Sequence, residues 1–113
     1  MSRDQEALVD ILESIRLILQ YAADQDLATL ATNMEKQDAI LRRITIIGEA
    51  TKRLSHEFRL QYPAIPWKQM AGMRDVITHN YDEVDLDEVW VVIQQNLPQL
   101  LAAIEPLIPS EPS

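Results

Sequence analysis

The stretch of sequence over residues 33–61, NMEKQDAILRRITIIGEATKRLSHEFRLQ, decides the fold of this 113-residue chain. Its apolar and small residues recur every three or four positions, which is the period of one face of an α-helix. Asn33 precedes the first turn and is a residue type that caps helix N-termini. We therefore predict one long helix over about residues 34–61. Its buried face consists of Ile40, Leu41, Ile44, Ile47, Gly48, Thr51, Leu54, Ser55 and Phe58.

Gly48 lies within this buried face. A glycine costs about 1 kcal/mol relative to alanine in a helix interior. We therefore expect Gly48 to allow a close crossing with a second helix, and simple tolerance of a glycine is the alternative.

The same period predicts further helices on both sides of this stretch. A first helix covers about residues 4–22, with Ser2 or Asp4 as its cap. A short helix or turn follows over residues 27–32.

Beyond residue 61, prolines and an aspartate mark where two more helices begin. Pro66 is placed as the first residue of a third main helix, which runs into His79. Asp85 is expected to cap a last helix that extends through Leu107 and bends at Pro98. The third helix buries Trp67, Met70, Met73 and Ile77.

The composition agrees with an all-α protein. The chain has two glycines, and no segment alternates polar and apolar residues as a half-buried strand does. We predict a single domain over residues 1–108, built as an up-and-down bundle of about four to five helices that forms a symmetric dimer. Residues 109–113, PSEPS, are predicted to be a disordered tail.

The residue types that are missing exclude several kinds of protein. With no cysteine, the chain cannot form a disulfide, a thiolate zinc site or a Cys nucleophile. The N-terminus has no basic run followed by an apolar stretch, and no segment is apolar enough to span a membrane. We therefore expect no membrane association and a cytoplasmic location.

The charge of the chain is unevenly distributed. The net charge is −8, with −5 over residues 1–35, +5 over residues 36–74 and −8 over residues 75–113. Because affinity for nucleic acid comes mostly from Lys and Arg, the overall acidity excludes a protein that coats nucleic acid non-specifically. The middle third can still form a local cationic surface or simply a solvated helix face. Its basic candidates are Arg42, Arg43, Lys52, Arg53, Arg59, Lys68 and Arg74.

Candidate catalytic residues lie together at the end of the third main helix. Arg74, His79 and Tyr81 fall within eight residues at an element boundary, where functional sites concentrate. The other histidine, His56, lies on the long helix between charged residues and is interpreted as structural. On an ideal helix, His79 would be about 140° around the axis from Arg74. Either the helix unwinds near Thr78 or a second copy supplies one of the two residues, and we favour the second copy.

An arginine and a histidine suit RNA cleavage. A histidine can take a proton from an attacking hydroxyl, and an arginine can hold a phosphate and stabilise its transition-state charge. Since the 2′-OH of RNA is itself the nucleophile, the reaction needs no metal and no cofactor. From spacing alone, surface hydrogen bonds by Arg74 and His79 remain the alternative. Asp75 is a candidate for orienting His79 across one helical turn, and Asn80 for positioning substrate or partner.

At these residues the sequence resembles the HepT-like group of HEPN-domain proteins, the toxin halves of toxin–antitoxin pairs. The resemblance covers nearly all of the chain. It is carried by IIGEATKRLS at 46–55, PAIPW at 63–67 leading into Gly72-Met73-Arg74, and DLDEVW at 85–90 followed by Leu97-Pro98. The group's motif R-x-x-x-x-H-x-Y is present as Arg74, His79 and Tyr81.

The resemblance implies a fold, an activity and a partner. It implies a dimeric helical bundle in which Arg74 and His79 of both copies line an endoribonuclease cleft. It also implies a minimal nucleotidyltransferase antitoxin that transfers AMP from ATP to the Tyr81 hydroxyl. The sequence leaves open whether the target is tRNA or mRNA, and whether Tyr81 packs at the helix end instead. A non-catalytic helical module that binds the nucleotidyltransferase is the alternative function.

Overall fold

The structure is a computed structural model that describes residues 2–79 and 83–108. Most of these residues are helical. The prediction of an all-α bundle is confirmed. The elements in chain order are α1 (Arg3–Ala22), α2 (Leu27–Ala31), α3 (Met34–Arg53), α4 (His56–Gln61), α5 (Trp67–Ala71), α6 (Met73–Ile77), β1 (Thr78–His79), β2 (Glu83–Val84), α7 (Leu86–Val91), a π-helical segment (Val92–Asn96), α8 (Leu97–Ile104) and a 3₁₀ turn (Glu105–Leu107).

The first helices begin where the capping residues predicted them. At the start of α1, the Ser2 hydroxyl accepts from the Gln5 backbone N–H at 3.1 Å, and the Gln5 side chain accepts from the Ser2 N–H. Asn33 caps α3 by accepting from the Lys36 N–H at 3.0 Å. These caps satisfy backbone donors that a helix start leaves free. The predicted helix over residues 4–22 and the cap of the long helix are therefore confirmed.

The predicted short element over residues 27–32 is α2, capped by Asp26. The Thr29 N–H donates to the Asp26 carboxylate at 2.8 Å, and hydrogen bonds from Thr29 lower the pKa of Asp26. Because the pKa is lowered in the folded state, this stabilising contribution is present at neutral pH. It is lost as the pH falls through the folded-state pKa.

The long helix predicted over residues 34–61 is wrong in its C-terminal part. It ends at Arg53, because Leu54 adopts an extended conformation and Ser55 caps a separate helix, α4. Asp4 of α1 accepts from the Ser55 backbone N–H at 2.7 Å and from its hydroxyl at 2.8 Å. The hydrogen bonds to Asp4 therefore stabilise Ser55 as a helix cap, at a position where the apolar pattern alone predicts that the helix continues.

Gly48 is the point at which α3 and α5 cross closely, as the sequence predicted. A Cβ atom built on Gly48 would lie 3.1 Å from the carbonyl oxygen of Ala71. Such a contact is too short for ordinary packing, and backbone cannot move aside as a flexible side chain can. Gly48 thus fixes how near α5, and α6 after it, can lie to the core.

Replacing Gly48 by Ala is expected to lower the free energy of unfolding. Overpacking costs about 1–3 kcal/mol, which exceeds the gain of about 1 kcal/mol in helix propensity. We expect a net loss of about 1 kcal/mol, measured by urea unfolding. Gly72→Ala is the control, because its Cβ would lie no closer than 3.7 Å to the Lys68 carbonyl oxygen. Equal effects of the two substitutions would contradict the close crossing.

The last predicted helix forms, but with a widened turn before its proline. Asp85 caps α7 by accepting from the Glu88 N–H at 3.2 Å. The Leu97 N–H then donates to the Val92 carbonyl, five residues earlier, in the π-helical segment. Pro98 has no N–H and its ring crowds the carbonyl of the residue four positions before, so a wider turn relieves the clash. The bend expected at Pro98 stays a prediction.

One hydrophobic cluster connects the helices. It extends from Ala7 on α1 to Ile104 on α8, and α1 packs along α3 at its centre. Trp67, Met70, Met73 and Ile77 are all buried, as their spacing predicted. No helix within residues 2–79 and 83–108 is both long and apolar enough to cross a membrane. The tail predicted to be disordered, residues 109–113, lies outside the described residues.

Candidate active site

The third main helix, predicted to run unbroken from Pro66 into His79, is divided into α5 and α6. Pro66 precedes α5 as its N-cap instead of being its first residue, and Gly72 separates the two helices. On α6, Met73 and Ile77 face the core. Arg74 and Asp75, between them in sequence, are exposed. The burial of one face of α6 therefore presents the Arg74 guanidinium to solvent.

The chain leaves the helical conformation at Thr78. Thr78 has an extended backbone, with φ −113° and ψ 127°, and its hydroxyl donates to the Arg74 carbonyl oxygen. The Asp85 N–H donates to the Ile77 carbonyl oxygen at 2.7 Å. These bonds satisfy carbonyls at the end of α6 and fix where the helix stops.

A short antiparallel ladder follows, in which Thr78 pairs with Val84 and His79 with Glu83. No strand was expected from the sequence pattern, and that expectation was wrong here. A strand of two residues is too short to show the alternating pattern by which strands are found in a sequence. The ladder sets the backbone of His79 at the beginning of the segment that holds the rest of the motif.

Arg74 and His79 were expected to act together either through unwinding of the helix near Thr78 or through a second copy of the chain. The helix ends at Ile77, so the unwinding near Thr78 is observed. The second copy, which we favoured, stays a prediction. For the same reason Asp75 and His79 are not one turn apart on a helix, and that geometric argument for Asp75 was wrong. Asn80 and Tyr81 lie outside the described residues.

The predicted basic residues differ in how they are engaged. Arg53 forms an ion pair with Asp10, and Arg59 donates to the Leu54 carbonyl oxygen at 3.1 Å. Within the described part of the chain, the other five form no ion pair. They are Arg42, Arg43, Lys52, Lys68 and Arg74. These cations are free to meet an anionic ligand, and their joining into one surface stays a prediction.

Acidic and histidine side chains do not gather into a metal site within residues 2–79 and 83–108. Glu83, Asp87 and Glu88 are exposed around the start of α7. Asp85 instead serves as a helix cap. The acidic run at residues 82–88 thus includes a helix start, as capping chemistry predicts.

A groove beside α5 and α6 could not be recognised in the sequence. It consists of two neighbouring cavities, of about 270 Å³ and about 520 Å³, which share Gln69, Met73 and Asn96 as lining residues. Residues 94–96 and Gln99 are polar residues of the last predicted helix. In the structure Asn96 and Gln99 line the groove, whereas Gln94 and Gln95 are exposed outside it. The three-dimensional fold therefore separates these amides, which the sequence pattern does not.

Comparisons with known proteins identify the family of the chain. The family model of HepT-like ribonucleases matches residues 11–107. The chain belongs to the HepT-like ribonuclease family, and its class is that of RNA-cleaving enzymes. The resemblance read from the motif strings is therefore confirmed.

Curated relatives carry corresponding names. The chain is 33% identical over 104 residues to a "putative RNase" of Methanocaldococcus jannaschii, covering 91% of this chain and 95% of that protein. It is 34% identical over 103 residues to a "probable ribonuclease HepT" of Thermococcus cleftensis, covering 91% and 94%.

A third relative is a longer protein. It is a "gamma-glutamylcyclotransferase and putative RNase" of Methanocaldococcus jannaschii, 48% identical over 90 residues. The match covers 80% of this chain and spans 40% of the length of that relative. No solved structure matches the chain.

Proposed function

We propose that the protein is a metal-independent endoribonuclease toxin whose Arg74 and His79 act on the RNA backbone. Membership of the HepT-like ribonuclease family, together with an exposed Arg74 directly before the segment of His79, carries this proposal. Arg74 holds the scissile phosphate with its planar fork of donors and stabilises the added negative charge of the transition state. His79 acts as general base or general acid.

The reaction is a transfer within the RNA itself. The 2′-oxygen attacks the adjacent phosphorus, the bond from phosphorus to the 5′-oxygen breaks, and a 2′,3′-cyclic phosphate forms. One proton leaves the 2′-hydroxyl and one reaches the departing 5′-oxygen. In a symmetric dimer, Arg74 of one copy and His79 of the other would form each of two equivalent sites.

The charge of the chain restricts which RNA can bind. With a net charge of −8, wide coating of RNA is unfavourable. Contact is confined to a cleft supplied by the basic residues of 36–74, which suits a small structured target such as tRNA or a short segment of mRNA. The reaction takes place in the cytoplasm, where RNA and ATP are both present.

The activity is controlled by a cognate minimal nucleotidyltransferase of a type VII-like toxin–antitoxin pair. That antitoxin transfers AMP from ATP to Tyr81, with pyrophosphate as the leaving group. A bulky anionic group beside Arg74 and His79 would occupy the cleft and repel an RNA phosphate. A module that binds the nucleotidyltransferase without cleaving RNA is the second candidate, favoured by the acidity of the chain.

Purified chain alone is expected to cleave total cellular RNA in the presence of EDTA. The products should end in 2′,3′-cyclic phosphate, because the 2′-hydroxyl is the nucleophile. An RNA oligonucleotide with a single 2′-deoxy substitution at its main cleavage site is the control and should be spared at that site. Absence of cleavage would favour the binding module, and cleavage at the deoxy position would exclude the 2′-hydroxyl mechanism.

A further inference from the structure

We propose that the groove between α5–α6 and the C-terminal helices binds a base of single-stranded RNA next to the scissile phosphate. This inference rests on the proposed ribonuclease function and adds to it a specificity site. The side chains that would read the base are the amides of Gln69, Asn96 and Gln99.

The position of the groove connects it to the proposed catalytic residues. Met73 is buried and lines both parts of the groove, and Arg74 is the next residue on α6. Consecutive Cα atoms lie about 3.8 Å apart. Because Arg74 directly follows a residue that lines the groove, we place the base that enters the groove next to the phosphate that Arg74 binds.

The lining suits a flat, uncharged, polar group. Gln69, Asn96 and Gln99 form no side-chain hydrogen bond with any described residue, so their donors and acceptors are free for a ligand. Met70 and Met73 supply an apolar floor. Single-stranded RNA is read through this combination of stacking and hydrogen bonds to base edges.

The charges at the other end of the groove agree with a base in preference to a phosphate. Lys68 and Glu88 both line the wider part, and their formal charges cancel. A carboxylate at that end repels phosphate, whereas it can accept a hydrogen bond from a base amino group. The backbone of the RNA would follow Arg74, and its base would enter the groove.

The spacing of the lining residues on the C-terminal helices explains why Asn96 and Gln99 face the same groove. Val92, Asn96, Gln99 and Ala103 line the groove and follow each other at spacings of four, three and four residues. This spacing keeps them on one side of the helix. The wide turn imposed by Pro98 ends at Asn96, and π-turns of this kind recur at functional sites.

The test measures binding of uncut RNA. Fluorescein-labelled oligonucleotides of A, C or U alone are titrated with the His79→Ala chain, and Kd is obtained from anisotropy. Gln69→Leu and Asn96→Leu are then made in the same chain. We expect one base to be preferred, and each substitution to reduce that preference by about five- to tenfold, which corresponds to the lower end of a bidentate amide–base contact. The dependence on salt should stay unchanged, because the amides do not bind phosphate.

Gln94→Leu is the matched control, since this amide is exposed on the same π-helical segment outside the groove. Its preference among bases should equal that of the parent chain. No base preference in the parent, or an unaltered preference in both groove variants, would overturn the proposal. A groove variant that loses dimer mass in light scattering would identify the groove as a protein interface instead. Base-selective binding by the unaltered chain, without cleavage of RNA in EDTA, would contradict the proposed ribonuclease mechanism and leave the groove as a base-binding site only.

Discussion

Replacing His79 by Ala is expected to lower the rate of RNA cleavage by about 10²–10⁴-fold, the range for loss of a general acid or base. The substitution removes the group that is proposed to accept the proton of the 2′-hydroxyl. Helix content, measured by circular dichroism, should stay unchanged. Cleavage is measured with and without the substitution in EDTA, with identically purified proteins.

The chain contains a natural control in its other histidine. His56 is exposed at the first position of α4, away from the motif in sequence. The His56→Ala variant should cleave RNA at the rate of the unaltered chain. Equal activity of the His79→Ala variant and the unaltered chain would remove His79 from the mechanism. Equal loss in both histidine variants would point to a general effect on folding.

Mixing two inactive variants distinguishes one-chain and two-chain sites. If Arg74 of one copy acts with His79 of the other, a dimer of Arg74→Ala and His79→Ala chains has one intact site. Random pairing then restores about one quarter of the activity, because about half of the dimers are mixed. If both residues act within one chain, mixing restores nothing. The end of α6 at Ile77 makes this comparison necessary, since the backbone no longer keeps the two residues on one helix.

The helices could be predicted from the sequence because their signals are local. The Ser2, Asn33 and Asp85 caps act on backbone groups within one turn, and the apolar period is set by helix geometry alone. The break at Ser55 could not be predicted in this way. Its cap depends on Asp4, which lies 51 positions earlier in the chain.

The site shows the same division between local and distant causes. Arg74 and His79 were predicted as a pair because functional residue types are close in sequence at an element boundary. The end of α6 near Thr78 was only the less favoured alternative, because it depends on a hydrogen bond from the Asp85 N–H to Ile77 and on a ladder of two residues. The groove could not be predicted, because Gln69 and Asn96 are far apart in sequence and only the fold brings them to the same cavities.

Incubation with ATP and the cognate nucleotidyltransferase is expected to add one AMP to each chain and to stop RNA cleavage. Tyr81→Phe removes the acceptor oxygen, so no phosphodiester can form there. Intact mass spectrometry should find this variant unmodified. Its cleavage rate with the antitoxin should be the same whether ATP is present or absent, whereas ATP should abolish cleavage by the unaltered chain.

The other tyrosines make this prediction specific. Tyr62 is half-buried, with its ring 5.0 Å from the ring of Phe58, and Tyr62→Phe removes a phenol of the same chemistry elsewhere. This control should still accept one AMP and lose activity with ATP. An AMP adduct on the Tyr81→Phe chain would place the acceptor on another residue. An anion beside Arg74 must compete with the RNA phosphate for the same guanidinium donors. Full cleavage by a fully modified chain would therefore contradict inhibition by a nucleotide in the cleft.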